Sequence, residues 1–270
     1  MSGLVVVTGA SGFIGRSVVN ELAGRRVPHL AVRRSGIGNT QRLASYRDSP
    51  AGKVLIHLAE ESRVDAIDAK SAQEQEEVLA ALIAKGFSRI VYASSAAVYG
   101  DASRDPRRPG DATIAANAYL AGKLACERRV LTAGGVVVRL ANVYGPMMHA
   151  TTVMAEILRQ VPIRGPVLVR DLAPVRDFLW IEDAARGVVD IALGAGRGVF
   201  NLGNGIGASI ADLARLVVNT AGQEGRELKA TAASGRASTL VLDIALTQET
   251  FGWRPETTLA DGIRRMIAAR

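Results

Sequence analysis

Cysteine is almost absent from this chain. The single Cys126 in 270 residues has no partner for an internal disulfide and cannot build a cysteine metal cluster. The three histidines are scattered without ligand spacing, so no metal site is expected. No apolar run approaches the about 20 residues that span a bilayer. The N-terminal MSGLVVVTGASG also lacks a basic stretch ahead of an apolar one, and the expectation is a cytoplasmic protein without a membrane partner. Internal repeats and low-complexity tracts are missing, which excludes a repeat array. The chain carries a net charge of +7. Its arginines are nevertheless dispersed, with no aromatic-interleaved basic run, so a solvated arginine-rich surface is the simpler reading and no nucleic acid partner is expected. The same positive field would favour a ligand carrying diphosphate.

What is present is a globular composition, 48% hydrophobic and 22% charged, in a length that suits one large α/β domain or a cofactor domain with a small second lobe. Residues 4–8 form a short β-branched run ending at glycine, and residues 13–22 then follow the helical period. Further strands are expected near 29–33, 54–59, 89–94 and 136–141, with helices over 72–85 and 117–133. Strands alternating with helices predict a parallel sheet covered on both faces. Segment 35–52, rich in Gly, Ser, Arg and Asn, reads as a loop with at most a short helix. Beyond Pro146 the pattern loosens, punctuated by Pro162, Gly165, Pro166 and Pro174, before helices near 182–193, 210–220 and 259–269. The expected division is a cofactor domain of residues 1–146 with parts of 175–205, and a substrate lobe of 147–174 and 206–270.

The first strand runs into Gly9-Ala10-Ser11-Gly12-Phe13-Ile14-Gly15, three glycines at three-residue spacing that open a helix. Glycines there allow a tight turn and close approach of backbone to a pyrophosphate, while the helix N-terminus offers unpaired N–H groups and the positive end of its dipole. Phosphate is expected at Ser11–Ile14. An ordinary turn would also use glycine, but the strand before and the helix after favour a dinucleotide. About twenty residues further on, a fold that prefers NAD carries an acidic residue for the adenosine ribose. This chain has Arg33-Arg34, which would attract and pair with a 2′-phosphate. NADP is therefore favoured over NAD, against the plainer reading of two solvated arginines.

Tyr119 and Lys123 stand four residues apart on an expected helix, hence on one face. A tyrosine ordinarily titrates at about pH 10. A neighbouring ammonium and an oxidised nicotinamide stabilise its phenolate and bring it into the range of acid–base work. The strand before ends in Ser94-Ser95 at the carboxyl edge of the sheet, where open α/β folds bind ligands, and Ser95 there can polarise a reacting oxygen.

GASGFIG, HLA at 57–59, SSAAVYG at 94–100, YLAGK, VVRLANVYGP at 137–146, RDFLWIED at 176–183, VFNLGNG at 199–205 and FGWRPETTLADGI at 251–263 occur in the order seen in the extended short-chain dehydrogenases, the NAD-dependent epimerase/dehydratase family, which the chain resembles over nearly its whole length. The resemblance implies an α/β fold, a Rossmann doubly wound parallel sheet with a smaller C-terminal α/β lobe. It also implies a nucleotide-sugar substrate and a homodimer built on helices 72–85 and 117–133, where Ala115, Ala116, Ala118, Ala121 and Ala125 allow close approach. By position, Ser95, Tyr119 and Lys123 resemble the catalytic set, with Tyr119 and Lys123 also at the cofactor, and Leu58 and Ala59 resemble part of its pocket. Asn142 resembles the asparagine that contacts the sugar nucleotide. Arg176, with Arg236, resembles the arginines that clamp its diphosphate.

Departures from the family narrow the reaction. Members that dehydrate or decarboxylate a sugar carry acidic groups where this chain has Ala96 and Ala97. Reductases that also epimerise at two carbons carry a cysteine directly after the serine pair, whereas Cys126 follows Lys123 and reads as core. A 4-keto reduction using NADPH is favoured, and an NAD-dependent 4-epimerisation is the alternative. A third possibility, from another class, is a Rossmann protein that senses NAD(P) or binds RNA without catalysis, although such a protein has no need of the full Ser–Tyr–Lys set.

Overall fold

The computed structural model describes residues 3–34, 41–60, 67–232 and 235–269. In chain order, β1 (Val5–Thr8) leads through the glycine turn into α1 (Phe13–Gly24), followed by β2 (His29–Arg33), β3 (Gln41–Arg42), β4 (Val54–His57), α2 (Ala69–Ile83), β5 (Arg89–Ser95), α3 (Ala118–Thr132) and β6 (Val136–Leu140). Then come β7 (Asn142–Tyr144), α4 (Val153–Gln160), β8 (Val167–Val169), β9 (Val175–Trp180), α5 (Ile181–Leu193), β10 (Gly198–Leu202), β11 (Gly207–Ser209), α6 (Ile210–Thr220), β12 (Leu228–Ala230), β13 (Thr239–Leu240), α7 (Ala245–Phe251) and α8 (Leu259–Ala268).

Seven strands form one sheet in the order β10-β6-β5-β4-β1-β2-β3, every pairing parallel. The order reverses between β1 and β4, so helices leave toward opposite faces and a crevice opens at the carboxyl ends of these two strands. The inner strands β1, β4 and β6 are buried along their whole length, as a covered parallel sheet requires, while the edge strand β3 is exposed. Val5 and Val7 of β1 pack with Val18 and Leu22 of α1 and Val188 of α5, whereas Val6 between them packs with Leu79 of α2 and Val130 of α3. A fully buried aliphatic side chain of this kind contributes about 1.5–3 kcal/mol. Cys126 lies in the second of these cores, 1% exposed.

The remaining strands make a smaller lobe around β9. It pairs in parallel with β7 and β13 and antiparallel with β11, while β8 and β12 form a separate pair. Tyr144 of β7 packs edge-on to Phe178 and Trp180 of β9, and α4, α6 and α8 close a core over them. The chain returns from β9 through α5 and β10 to the large sheet, so the two bodies share a boundary at Asn142 and again at Trp180–Ile181.

Several elements differ from their sequence-based expectation. Of segment 35–52, expected to hold no strand, residues 35–40 lie outside the described ones. Gln41–Arg42 form a two-residue strand against Val32–Arg33, and Tyr46–Asp48 form one 3-10 turn. Helices α4 and α7, strand β10 of the large sheet and the short strands of the lobe were not anticipated. Among the described residues no helix is long and apolar enough to cross a membrane.

Candidate active site

At the sheet's reversal point lies a cleft of about 480 Å³, walled on one side by the glycine turn and on the other by β5, α3 and the segment from Leu140 to Met154. Gly9, Gly12, Phe13, Ile14, Gly15 and Leu58 line it. Gly9 has φ +72°, and a Cβ there would sit 2.7 Å from the Leu58 carbonyl oxygen. A Cβ on Gly15 would overlap the Gly9 carbonyl oxygen. Gly12 caps α1 without any side-chain hydrogen bond, and the first turn holds no acidic residue. The turn therefore presents bare backbone and a helix N-terminus to the cleft, which is what a dinucleotide diphosphate requires. Ser11 and Ala59 stand beside the cleft rather than in its wall. Arg33 and Arg34 lie beyond it at the end of β2, Arg34 stacked 5.2 Å over the Tyr46 ring.

Ser95, Tyr119 and Lys123 converge on the same cleft. Ser95 ends β5 and its Oγ accepts a hydrogen bond from the Ala97 N–H at 3.2 Å. Asn117 caps α3 by accepting from Leu120 N, which fixes the helix start two residues before Tyr119. One turn later Lys123, whose side chain is 9% exposed, lies 5.9 Å from the Tyr119 ring centre and 5.0 Å from that of Tyr92. Its Nζ donates to the Ala93 carbonyl at 2.9 Å and to Glu60 Oε2 at 2.6 Å. The same oxygen accepts from the Tyr92 hydroxyl at 2.8 Å. Burial, the largest single influence, pushes the Glu60 carboxyl up, but the charge of Lys123, the nearby His57 and the hydrogen bonds from Lys123 and Tyr92 together hold the group below its ordinary range. Burial likewise disfavours the Lys123 ammonium most strongly, and the charge and hydrogen bond of Glu60, with smaller contributions from Tyr119 and Cys126, together raise it. The two are an ionised pair. Behind them His57 is held neutral, its pKa brought down by burial to about 4, with Nδ1 2.7 Å from Thr8 Oγ1.

Asn142 lines the cleft from the first residue of β7, its amide donating to the Asp177 carbonyl at 3.3 Å. Arg176 and Arg236 do meet, though outside the cleft wall and on a partner that sequence reasoning did not supply. Arg176 Nη2 lies 3.2 Å from Asp101 Oδ2 and donates to Ser238 Oγ at 2.8 Å. Arg236 grips both oxygens of Asp101, at 2.9 and 3.1 Å, and Ser238 Oγ bonds the same carboxylate. Arg176 pairs with neither of the acidic residues near it in sequence, Asp177 and Asp183. Asp177 points to the opposite side of β9 and receives the backbone N–H groups of Asn204, Gly205 and Leu242, and Asp183 is occupied by Arg186.

Two features of the cleft were missed. Glu60 directly follows the HLA stretch, three residues beyond the end of β4, which points at the crevice, and that position was its only signal. The segment Met148–Met154 supplies the lobe's wall, including His149 and Thr152. Among the described residues no cluster of three or more His, Cys, Asp or Glu could hold a metal ion.

The family model for the NAD dependent epimerase/dehydratase family matches residues 5–203. UDP-glucose 4-epimerase of Azospirillum brasilense is 25% identical, the match covering 97% of this chain and 90% of the relative. GDP-6-deoxy-D-mannose reductase of Pseudomonas aeruginosa is 27% identical, with 99% and 97% covered. Among solved structures, UDP-glucose 4-epimerase of Thermus thermophilus in complex with NAD superimposes with a TM-score of 0.83 at 24% identity, covering 97% of this chain and 96% of that one. With a glycine cradle and a Ser–Tyr–Lys cluster facing one cleft, and with the family model spanning most of its length, this chain belongs to the NAD-dependent epimerase/dehydratase family and is an enzyme of the extended short-chain dehydrogenase type.

Proposed function

We propose that this enzyme reduces a 4-keto sugar carried on a nucleoside diphosphate, with NADPH as its cofactor. The observation that carries the reading is the single cleft in which the glycine turn, Ser95, Tyr119, Lys123 and Asn142 all face the same space. When bound, the nicotinamide supplies the hydride that forms the new C–H bond at the carbonyl carbon. The carbonyl π electrons move to oxygen, and that oxygen takes the proton of the Tyr119 phenol as the O–H bond breaks. Ser95 donates a hydrogen bond to the same oxygen as negative charge develops on it. Lys123 holds its ammonium beside the phenol and toward the ribose. Asn142 meets the sugar, and Arg176 with Arg236 takes the diphosphate, a role in which the phosphate oxygens replace those of Asp101. The absence of an acidic group after Ser95 (Ala96 and Ala97 instead) supports simple hydride transfer over dehydration or decarboxylation.

Arg33 at the end of β2 supports NADPH over NADH. The epimerase relatives, one of them in complex with NAD, support a second reading, reversible 4-epimerisation with tightly held NAD. Titration of NADPH, NADH and NADP against the protein, followed by turnover with 4-keto and 4-hydroxy nucleotide sugars, separates the two. The reductase reading requires tighter NADPH than NADH, reversal by Arg33→Asp, and net oxidation of NADPH by the keto sugar. Equal affinities unchanged by Arg33→Asp, with interconversion of 4-hydroxy epimers and no net cofactor oxidation, would establish the epimerase instead.

A further inference from the structure

We propose that Glu60 is a positioning residue of this site, which anchors Lys123 and offsets its charge so that Tyr119 is kept as a proton donor. The inference rests on the reading of Tyr119 and Lys123 as the acid–base pair. Glu60 reaches the cleft from the loop after β4, and its side chain is 5% exposed. The contacts come from three directions. Lys123 Nζ of α3 and the Tyr92 hydroxyl of β5 both donate to Oε2, and His57 Nε2 of β4 stands 3.8 Å from Oε1. Those last two atoms have no hydrogen-bond partner among the described residues. Cys126 and Tyr119, one turn to either side of Lys123 on α3, complete the titratable groups around the pair. His57 is neutral, burial lifts the Cys126 thiol to about 12, and Tyr92 is lifted well above its ordinary range by burial and by Glu60 itself. Lys123 and Glu60 are thus the only charges in the cluster near neutral pH among the described residues.

The consequence follows from sign. An ammonium alone beside a phenol favours its ionised form. An ammonium already matched by a carboxylate at 2.6 Å presents a dipole, whose field falls off faster than that of a charge. Glu60 therefore weakens the pull of Lys123 on the phenol proton. A site that reduces a ketone must start with that proton in place, whereas a site that first oxidises an alcohol must start without it.

The test uses the cofactor-free protein and then the working enzyme. The tyrosinate absorbance of Tyr119, identified as the transition lost in Tyr119→Phe, should appear in Glu60→Gln at a pH lower than in wild type by about one unit or more, as expected when a full charge about 6 Å from the ring loses its counter-charge. In single-turnover reduction, the fall in rate on the alkaline side should move down by a similar amount. Glu60→Asp, which keeps the charge but draws it back, should fall between the two. An unmoved tyrosinate transition and pH profile in a folded Glu60→Gln protein would overturn the proposal and leave the Tyr119 assignment standing. Should Glu60→Gln not fold, Glu60→Asp carries the test alone, and an unmoved transition there has the same force. If Tyr119→Phe and Lys123→Met both transfer hydride at the wild-type rate, the underlying reading itself has failed.

Discussion

Replacing Gly15 by alanine strikes the nucleotide cradle at its least yielding point. Within a helix the exchange should stabilise by up to about 1 kcal/mol on propensity alone. Here the new Cβ would overlap the Gly9 carbonyl oxygen and lie 2.8 Å from Gly9 C and 2.9 Å from Ala10 Cα. All of these are backbone atoms of the turn, with no side chain to swing aside. The N-terminus of α1 must move away from the turn, at the about 1–3 kcal/mol typical of overpacking. For a chain of this size that lowers Tm by roughly 2–10 °C. The same displacement takes the helix N–H groups off the phosphate. At a cofactor concentration of about 100 Kd, wild type gains ~2.7 kcal/mol from binding, and a tenfold loss of affinity would halve that gain. Gly24→Ala is the control on the same helix, since its Cβ meets nothing within 4 Å, and it should melt at or slightly above the wild-type temperature. Thermal melts of the three proteins with and without NADPH decide the matter. A Gly15→Ala protein that matches Gly24→Ala in stability and in its response to cofactor would refute the cradle.

Other outcomes follow from buried charge and from surfaces. Glu127 and Arg139 form a two-contact ion pair at 2.6 and 3.1 Å with side chains 3% and 7% exposed. Arg139→Met should thus cost about 3–5 kcal/mol in urea denaturation, and adding Glu127→Gln should recover part of the loss. His57 is neutral when folded, with a pKa of about 4, but titrates near about 6.5 when unfolded. The unfolded chain therefore binds the extra proton, and stability complete above pH 6.5 should drain away toward pH 4 by up to about 3 kcal/mol. His57→Asn should flatten that part of the pH–stability curve, and an unchanged slope would contradict the neutral assignment. Helices α2 and α3 pack so closely that a Cβ on Gly122 would lie 2.9 Å from that of Ala72, and their outer faces are the proposed homodimer contact. Sedimentation at micromolar concentration should show a dimer, and only monomer would contradict it.

Five of the seven strands of the large sheet, all but β3 and β10, were legible because their signals are local. Val5–Thr8 and Val136–Leu140 are short apolar runs, and the helices between them follow the 3.6 period. The Ser–Tyr–Lys set was legible because strand ends and one helical turn bring it together. Glu60 was not, since its meaning comes from a lysine 63 residues away. Asp101 was hidden for the same reason, with partners 75 and 135 residues downstream. The lobe's strands are two to six residues long and form by pairing with β9 and β8, so no periodicity could develop within them. Helix α4 is a different case. Met154, Ile157 and Leu158 have helical spacing and are buried, but the stretch is eight residues long and the chain around it is broken by Pro146 and Pro162.

The central claim is that Tyr119 transfers the proton that accompanies hydride transfer, and single-turnover absorbance of the nicotinamide in Tyr119→Phe tests it most directly. The phenyl ring still fills the pocket, so cofactor affinity should stay within a few-fold of wild type while the hydride-transfer rate falls by at least about 100-fold. A Tyr119→Phe enzyme that reacts at the wild-type rate would show the Tyr–Lys spacing to be coincidental and the acid–base assignment wrong.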